Sequence, residues 1–147
     1  MLSIIVVEVK RETRRLFESL VEAAVLARRN SYAPYSRFAV GAAIMGSDGR
    51  MYSGCNVENA SYGLTICAER VAIGTMIAGG CREISAVAVA LEGSGSPCGA
   101  CRQVMSEFGE RFPVLMVNLA DENSVQQWTI DQLLPVAFRL NRSDIDR

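Results

Sequence analysis

The sequence predicts an α/β fold, a three-layer α/β/α arrangement around a mixed sheet of about five strands. Segments with helical spacing alternate with short apolar runs. Ser47-Asp48-Gly49 separates two of those runs, and Ile84 to Leu91 is an almost unbroken stretch of small and β-branched residues, the pattern of a strand covered on both faces. An Asp-Gly reversal makes antiparallel neighbours, whereas strands joined by a crossover helix lie parallel, so both ladder types belong in one sheet.

From about Thr13 to Arg29, Leu16, Phe17, Leu20, Val21, Ala24 and Val25 recur at three and four, with Arg14, Arg15, Glu18 and Glu22 opposite them. That spacing is an amphipathic helix. Asn30-Ser31 and Pro34-Tyr35-Ser36 end it and open a structured loop, because Pro34 keeps its neighbour out of helical geometry. Phe38 to Met45 and Arg50 to Asn56 flank the Asp-Gly turn as a hairpin. Thr65 to Ala78 reads as a second helix stopped by Gly79-Gly80, with Cys67 in its first turn. After the strand Ile84 to Leu91, a third helix is expected from Cys98 to Phe108, a strand from Val114 to Leu119, and a short helix from Ile130 to Leu134 before Pro135.

The 147 residues fit one domain, 1–147, and half of them are apolar. With 15 basic and 16 acidic residues the net charge is -1, which gives no field to hold a polynucleotide. There is no histidine, so no Ser-His-Asp triad, Cys-His dyad or histidine metal ligand exists. Five cysteines, an odd number, suit a reducing, cytoplasmic location better than a disulfide framework. The apolar run Leu2 to Val7 is too short for a signal core or a membrane span, so no membrane partner is expected.

Cys98-Gly99-Ala100-Cys101 sets two thiols three apart at a helix start, aimed at one point, which is half a metal site. Cys67 begins another helix, and two helices on one sheet can bring their N-termini together at its edge. Three sulfurs leave a tetrahedral zinc one open position, which separates catalytic from structural zinc. Glu69, two residues after Cys67, is then close enough to shuttle protons. Three thiolates overcompensate the charge of zinc; the two helix N-termini and Arg70, assigned to the thiolates, offset that excess.

Cys67-Ala68-Glu69 with Pro97-Cys98-Gly99-Ala100-Cys101 matches the zinc deaminase signature in its three-cysteine form. Beyond it, the chain resembles the small, homotetrameric cytidine deaminases over roughly residues 15 to 138, in four ordered blocks. These are residues 32–43 (Tyr32-Ala33-Pro34-Tyr35-Ser36-Arg37-Phe38 onward), 54–62 (Gly54-Cys55-Asn56-Val57-Glu58-Asn59-Ala60-Ser61-Tyr62), Cys67-Ala68-Glu69-Arg70, and Ser96-Pro97-Cys98-Gly99-Ala100-Cys101-Arg102-Gln103.

The resemblance implies one zinc per subunit and hydrolysis of cytidine and deoxycytidine at carbon 4, releasing ammonia, as in pyrimidine salvage. It implies that Asn56 and Glu58 bind the ribose hydroxyls and that Phe38 stacks on the pyrimidine. The Ala68 amide would meet the ring carbonyl oxygen, the Ser96 carbonyl the departing amine, and Glu69 ring nitrogen 3. Ala60, Tyr62 and Phe138, the last in Leu133-Leu134-Pro135-Val136-Ala137-Phe138, would complete a neighbouring subunit's pocket. Past Phe138 the match fades, with Arg139-Leu140 where the family has Gly-Pro.

Plainer readings compete. A lone Cys-x-x-Cys is often a redox pair or structural half-site, but Ser96-Pro97 precedes this one and no proline lies inside it. Cys55 or Cys81 could supply a fourth structural ligand, although both read as packing thiols, and Trp128 reads as core or interface. Asn56 and Glu58 could be a solvated edge, and Phe38, Tyr62 and Phe138 plain packing. Within the class, a deaminase of a cytosine-bearing antibiotic such as blasticidin S is the rival; outside it, a non-catalytic zinc-stabilised binding module.

Overall fold

A computed structural model describes residues 11–122 and 124–140. The leading helix, α1, spans Arg11–Arg28 and buries Phe17, Leu20, Val21 and Ala24 along one stripe. A hairpin of β1 (Gly41–Gly46) and β2 (Met51–Cys55) follows, with Gly49 at φ 77 in its turn, as an Asp-Gly reversal requires. Then come a 3-10 turn at Tyr62–Leu64, α2 (Ala68–Ala78), β3 (Ile84–Leu91), α3 (Gly99–Ser106), β4 (Pro113–Asn118), β5 (Ser124–Thr129) and α4 (Ile130–Leu133).

The five strands form one mixed sheet in the order β2-β1-β3-β4-β5. β1 is antiparallel to both β2 and β3, β3 is parallel to β4 across the α3 crossover, and β5 returns antiparallel to β4. The central strands alternate their buried side chains between two cores. Ala43, Met45, Ala86, Ala88, Ala90, Leu115 and Val117 meet α1, while Ala42, Ile44, Val87, Val89 and Val114 meet residues of α2 and α3, including Ala72, Met76 and Met105. This is the expected three-layer sandwich.

Several boundaries differ from the sequence reading. The second helix starts at Ala68 rather than Thr65, because Ile66 is held in a two-way backbone bridge with Val57 and cannot turn. Cys67 is therefore the cap of α2 rather than a first-turn residue, and α3 likewise starts at Gly99 with Cys98 as its cap. The strand β5 completes the expected count of about five, but it carries no alternating apolar signal and the sequence does not locate it; Trp128 stands on it, 44% exposed. Leu2 to Val7 lie outside the described residues. Among the described residues no helix is long and apolar enough to cross a membrane.

Candidate active site

Both ligand-bearing helices follow strands that point the same way, since β2 and β3 are each antiparallel to the β1 between them. Their N-termini consequently face the same sheet edge, where helix dipoles favour negative charge. Gly54 on β2 sets the approach of α2: a Cβ there would lie 2.7 Å from the Ala68 carbonyl and collide with the Ala72 amide. A side chain at this position would push away the turn that holds Glu69.

Isolated bridges Tyr32 to Val57 and Val57 to Ile66 lay three segments side by side. The Glu58 amide donates to the Tyr32 carbonyl at 2.8 Å, and Val57 and Ile66 exchange two backbone bonds of 2.9 Å. Residues far apart in sequence thus line up: the 32–38 loop, Asn56 and Glu58, and the segment entering Cys67.

The sulfurs of Cys67, Cys98 and Cys101 all lie within 4.8 Å of one another, and those of Cys67 and Cys98 are 4.0 Å apart. Sulfurs bound at ~2.3 Å to a tetrahedral zinc sit roughly 3.8 Å apart, so these thiols fit the ion with little adjustment. Cys55 and Cys81 are not in the cluster. The Cys55 thiol donates to the Asn30 carbonyl at 3.3 Å, and Cys81 is buried beside Ser47 and Glu83.

Charge in the cluster is distributed by contacts. Donation from the Cys101 thiol, helped by Arg70, pushes the Cys67 thiol down to about 5, while the same contact, burial and the neighbouring Glu69 push Cys101 up. Arg70 Nη2 lies 3.5 Å from Cys67 Sγ. Glu69 is only 5% exposed, and desolvation, followed by the adjacent Cys67 charge, raises its carboxyl above the ordinary range. A buried carboxyl beside an incomplete ligand set is equipped to exchange protons.

Two of the predicted residues, Glu58 and Tyr62, line a cleft of about 260 Å³ together with Tyr35, Ser36 and Thr65. The Glu58 carboxylate accepts from the Ser36 hydroxyl and from the Tyr35 and Ser36 amides, which hold it below the ordinary range. Tyr35 and Tyr62 meet edge to face at 5.8 Å. Asn56 is buried: Oδ1 accepts from the Ser31 hydroxyl and the Val40 amide, and Nδ2 donates to the Phe38 carbonyl at 2.7 Å. That leaves one N–H of the amide for a ligand.

The Phe38 backbone is pinned at both ends, its amide donating to Ser36 Oγ at 3.0 Å, and the residue is 47% exposed, so it is not core. Ala68 is buried, Ser96 and Ala60 are exposed, and Tyr62 and Phe138 are 75% and 69% exposed. Phe38, Asn56, Ala68, Ser96 and Phe138 do not line the Glu58 cleft. Ser31 and Ser36, which orient Asn56 and Glu58, escaped the sequence reading; Ser36 stood inside a matched block, but an isolated serine carries no signal of its partner.

Three thiols grouped to hold one metal ion, with a buried carboxyl beside them, define a zinc-dependent hydrolase. Residues 15–116 match the family described as "Cytidine and deoxycytidylate deaminase zinc-binding region". The cytidine deaminase of Sporosarcina psychrophila is 45% identical over 124 residues, 82% of this chain and 90% of that protein. That of Mycobacterium tuberculosis strain H37Rv is 44% identical over 121 residues, 80% and 86% of the two chains. A crystal structure of cytidine deaminase from Burkholderia pseudomallei superposes with TM-score 0.77 at 48% identity, covering 82% of this chain and 98% of that one. This chain belongs to the cytidine and deoxycytidylate deaminase family, and zinc is its metal.

Proposed function

We propose that this chain, acting as a single domain, hydrolyses cytidine and deoxycytidine to uridine or deoxyuridine and ammonia. The observation that carries the proposal is the buried Glu69 carboxyl set beside the Cys67, Cys98 and Cys101 cluster. Cys67, Cys98 and Cys101 would hold zinc, which would supply the Lewis acidity that makes water nucleophilic near neutral pH. Glu69 takes the proton the attacking water gives up and delivers it to ring nitrogen 3 as the new carbon–oxygen bond forms at carbon 4. The proton of the hydroxyl now on carbon 4 then passes through Glu69 to the exocyclic nitrogen, which leaves as ammonia while the carbon 4 carbonyl of uridine forms.

The remaining roles concern grip. The Ala68 amide, first in α2, is directed by the helix start toward the ring carbonyl oxygen, and the Ser96 carbonyl accepts from the departing amine. Phe38 offers its exposed ring to the pyrimidine face. Glu58, ionised by its three donors, and the free N–H of Asn56 take the sugar hydroxyls. This sugar side favours a nucleoside over blasticidin S. Arg70 stabilises the thiolates.

Ala60, Tyr62, Val136 and Phe138 are each exposed in the single chain. A homotetramer in which these residues close a neighbour's pocket would cover them, in the cytoplasm, without polynucleotide or membrane partners.

Zinc content measured alongside turnover of cytidine and of blasticidin S tests the proposal. One zinc per chain with uridine and ammonia from cytidine is expected. A metal-free chain with full activity, or turnover of the antibiotic alone, overturns it, and sedimentation as a monomer overturns the tetramer.

A further inference from the structure

Two adjacent residues on α3 bind segments that no role above connects. Arg102 Nε donates to the Pro97 carbonyl at 2.7 Å, Nη2 to Ser96 Oγ at 2.6 Å, and Nη1 to the Leu133 carbonyl at 2.8 Å. Gln103 Nε2 donates to the Phe138 carbonyl at 2.9 Å. All three guanidinium nitrogens are engaged, two on the loop entering Cys98 and one on the last residue of α4.

We propose that Arg102 and Gln103 are positioning residues, strapping the Ser96-Pro97 loop and the C-terminal segment that carries Phe138 onto the helix that bears Cys101. The chemistry of the acceptors supports this. Three of the four are backbone carbonyls, so the bonds fix chain path rather than read side-chain identity. The Leu133 carbonyl ends a helix and has no intrahelical partner; Arg102 supplies one and thereby docks α4. Only a planar fork can reach two segments at once, a task the single ammonium of lysine cannot perform. Loop and tail then share one rigid reference with the thiol cluster.

The two straps separate by function, and this division rests on the proposed deamination. Arg102 holds the loop whose Ser96 carbonyl faces the leaving amine, so its loss acts on the chemical step. Gln103 holds only the tail, so its loss acts on substrate retention.

The test is steady-state kinetics on cytidine, zinc stoichiometry, and amide hydrogen exchange over residues 134–140 in Gln103→Ala, Arg102→Met and Arg102→Lys. Gln103→Ala is expected to keep its zinc, exchange faster in the tail, and raise KM about fivefold with kcat within about twofold, the loss of one hydrogen bond. Both Arg102 variants are expected to keep zinc and lose kcat by about tenfold or more, as misplacement of a reacting-centre contact does. Because the Gln103 bond is exposed, that variant folds even where Arg102→Met does not. An active parent whose Gln103→Ala variant keeps KM and tail exchange unchanged overturns the tail strap. Full kcat in Arg102→Lys overturns the requirement for the fork. A parent that leaves cytidine untouched refutes the deaminase reading instead, and tail exchange in Gln103→Ala then decides the strap alone.

Discussion

The Arg70 guanidinium lies 3.5 Å from the sulfur of Cys67, one helical turn along α2 from the cap it serves. A cation in that place offsets the surplus negative charge of an all-sulfur ligand set. Arg70→Ala should weaken zinc binding by about tenfold or more, the usual cost of losing a group that supports a metal ligand. Competition with a chelator of known affinity, followed by zinc content, measures it; unchanged zinc retention together with unchanged turnover would show that Arg70 has no such role.

Glu69→Gln preserves shape and removes the proton acceptor. The variant should hold zinc like the parent and lose kcat by about 100-fold or more, the range for general acid–base groups. Absorbance loss on conversion of cytidine to uridine reads the rate. A glutamine variant with parental kcat would remove Glu69 from the proton path.

Ser36 donates its hydroxyl to Glu58 and accepts from the Phe38 amide, so one small side chain serves both halves of the proposed nucleoside grip. Ser36→Ala should raise KM for cytidine by about fivefold or more with little change in kcat, since each bond is worth about 1 kcal/mol. A drop confined to kcat contradicts a purely binding role.

Gly54 leaves no room for a methyl group against the Ala68 carbonyl and the Ala72 amide. Because both neighbours are backbone, relief requires moving α2, and Gly54→Ala should cost about 1–3 kcal/mol by overpacking. Thermal unfolding with zinc in excess measures the loss; a variant as stable as the parent would mean that the strand and helix can separate freely.

At the opposite end of the hairpin, the Tyr52 hydroxyl, with Arg50, holds the Asp48 carboxyl down at about 2 from an ordinary 3.8. The depressed value means the folded chain favours the ionised form. Its stabilising contribution is complete above the ordinary value and disappears as pH falls through about 2. Parent and Asp48→Asn should therefore differ in Tm at pH 7 and converge as the pH is lowered from 4 toward 2. A difference that persists unchanged to pH 2 would exclude ionisation as its source.

Much of this architecture is legible in the sequence. Ile84–Leu91 has the boundaries expected of it, because an apolar run interrupted only by Ser85 and bordered by Gly93 leaves few alternatives. The Cys67, Cys98 and Cys101 grouping was readable from spacing and from the absence of histidine. The helix starts were harder: thiols are not habitual caps, and only the Val57 to Ile66 bridge shows why α2 begins at Ala68. Ser-Val-Gln-Gln-Trp-Thr gave no strand signal, since β5 is an edge with little to bury. Arg102 and Gln103 could be quoted as part of a motif, yet their partners are mostly carbonyls of Pro97, Leu133 and Phe138, which any residue type would present.

The caps of α2 and α3 are Cys67 and Cys98, and neither side chain makes a capping hydrogen bond. An oxygen-bearing cap would tie down the first free amides of its helix; here that anchoring is left to whatever the sulfurs hold. Any ion that joins the thiols also clamps two helix origins, so melting temperature should climb with the logarithm of free zinc. A heating curve on this protein is then a zinc gauge, and two preparations can be compared for stability only at matched metal activity.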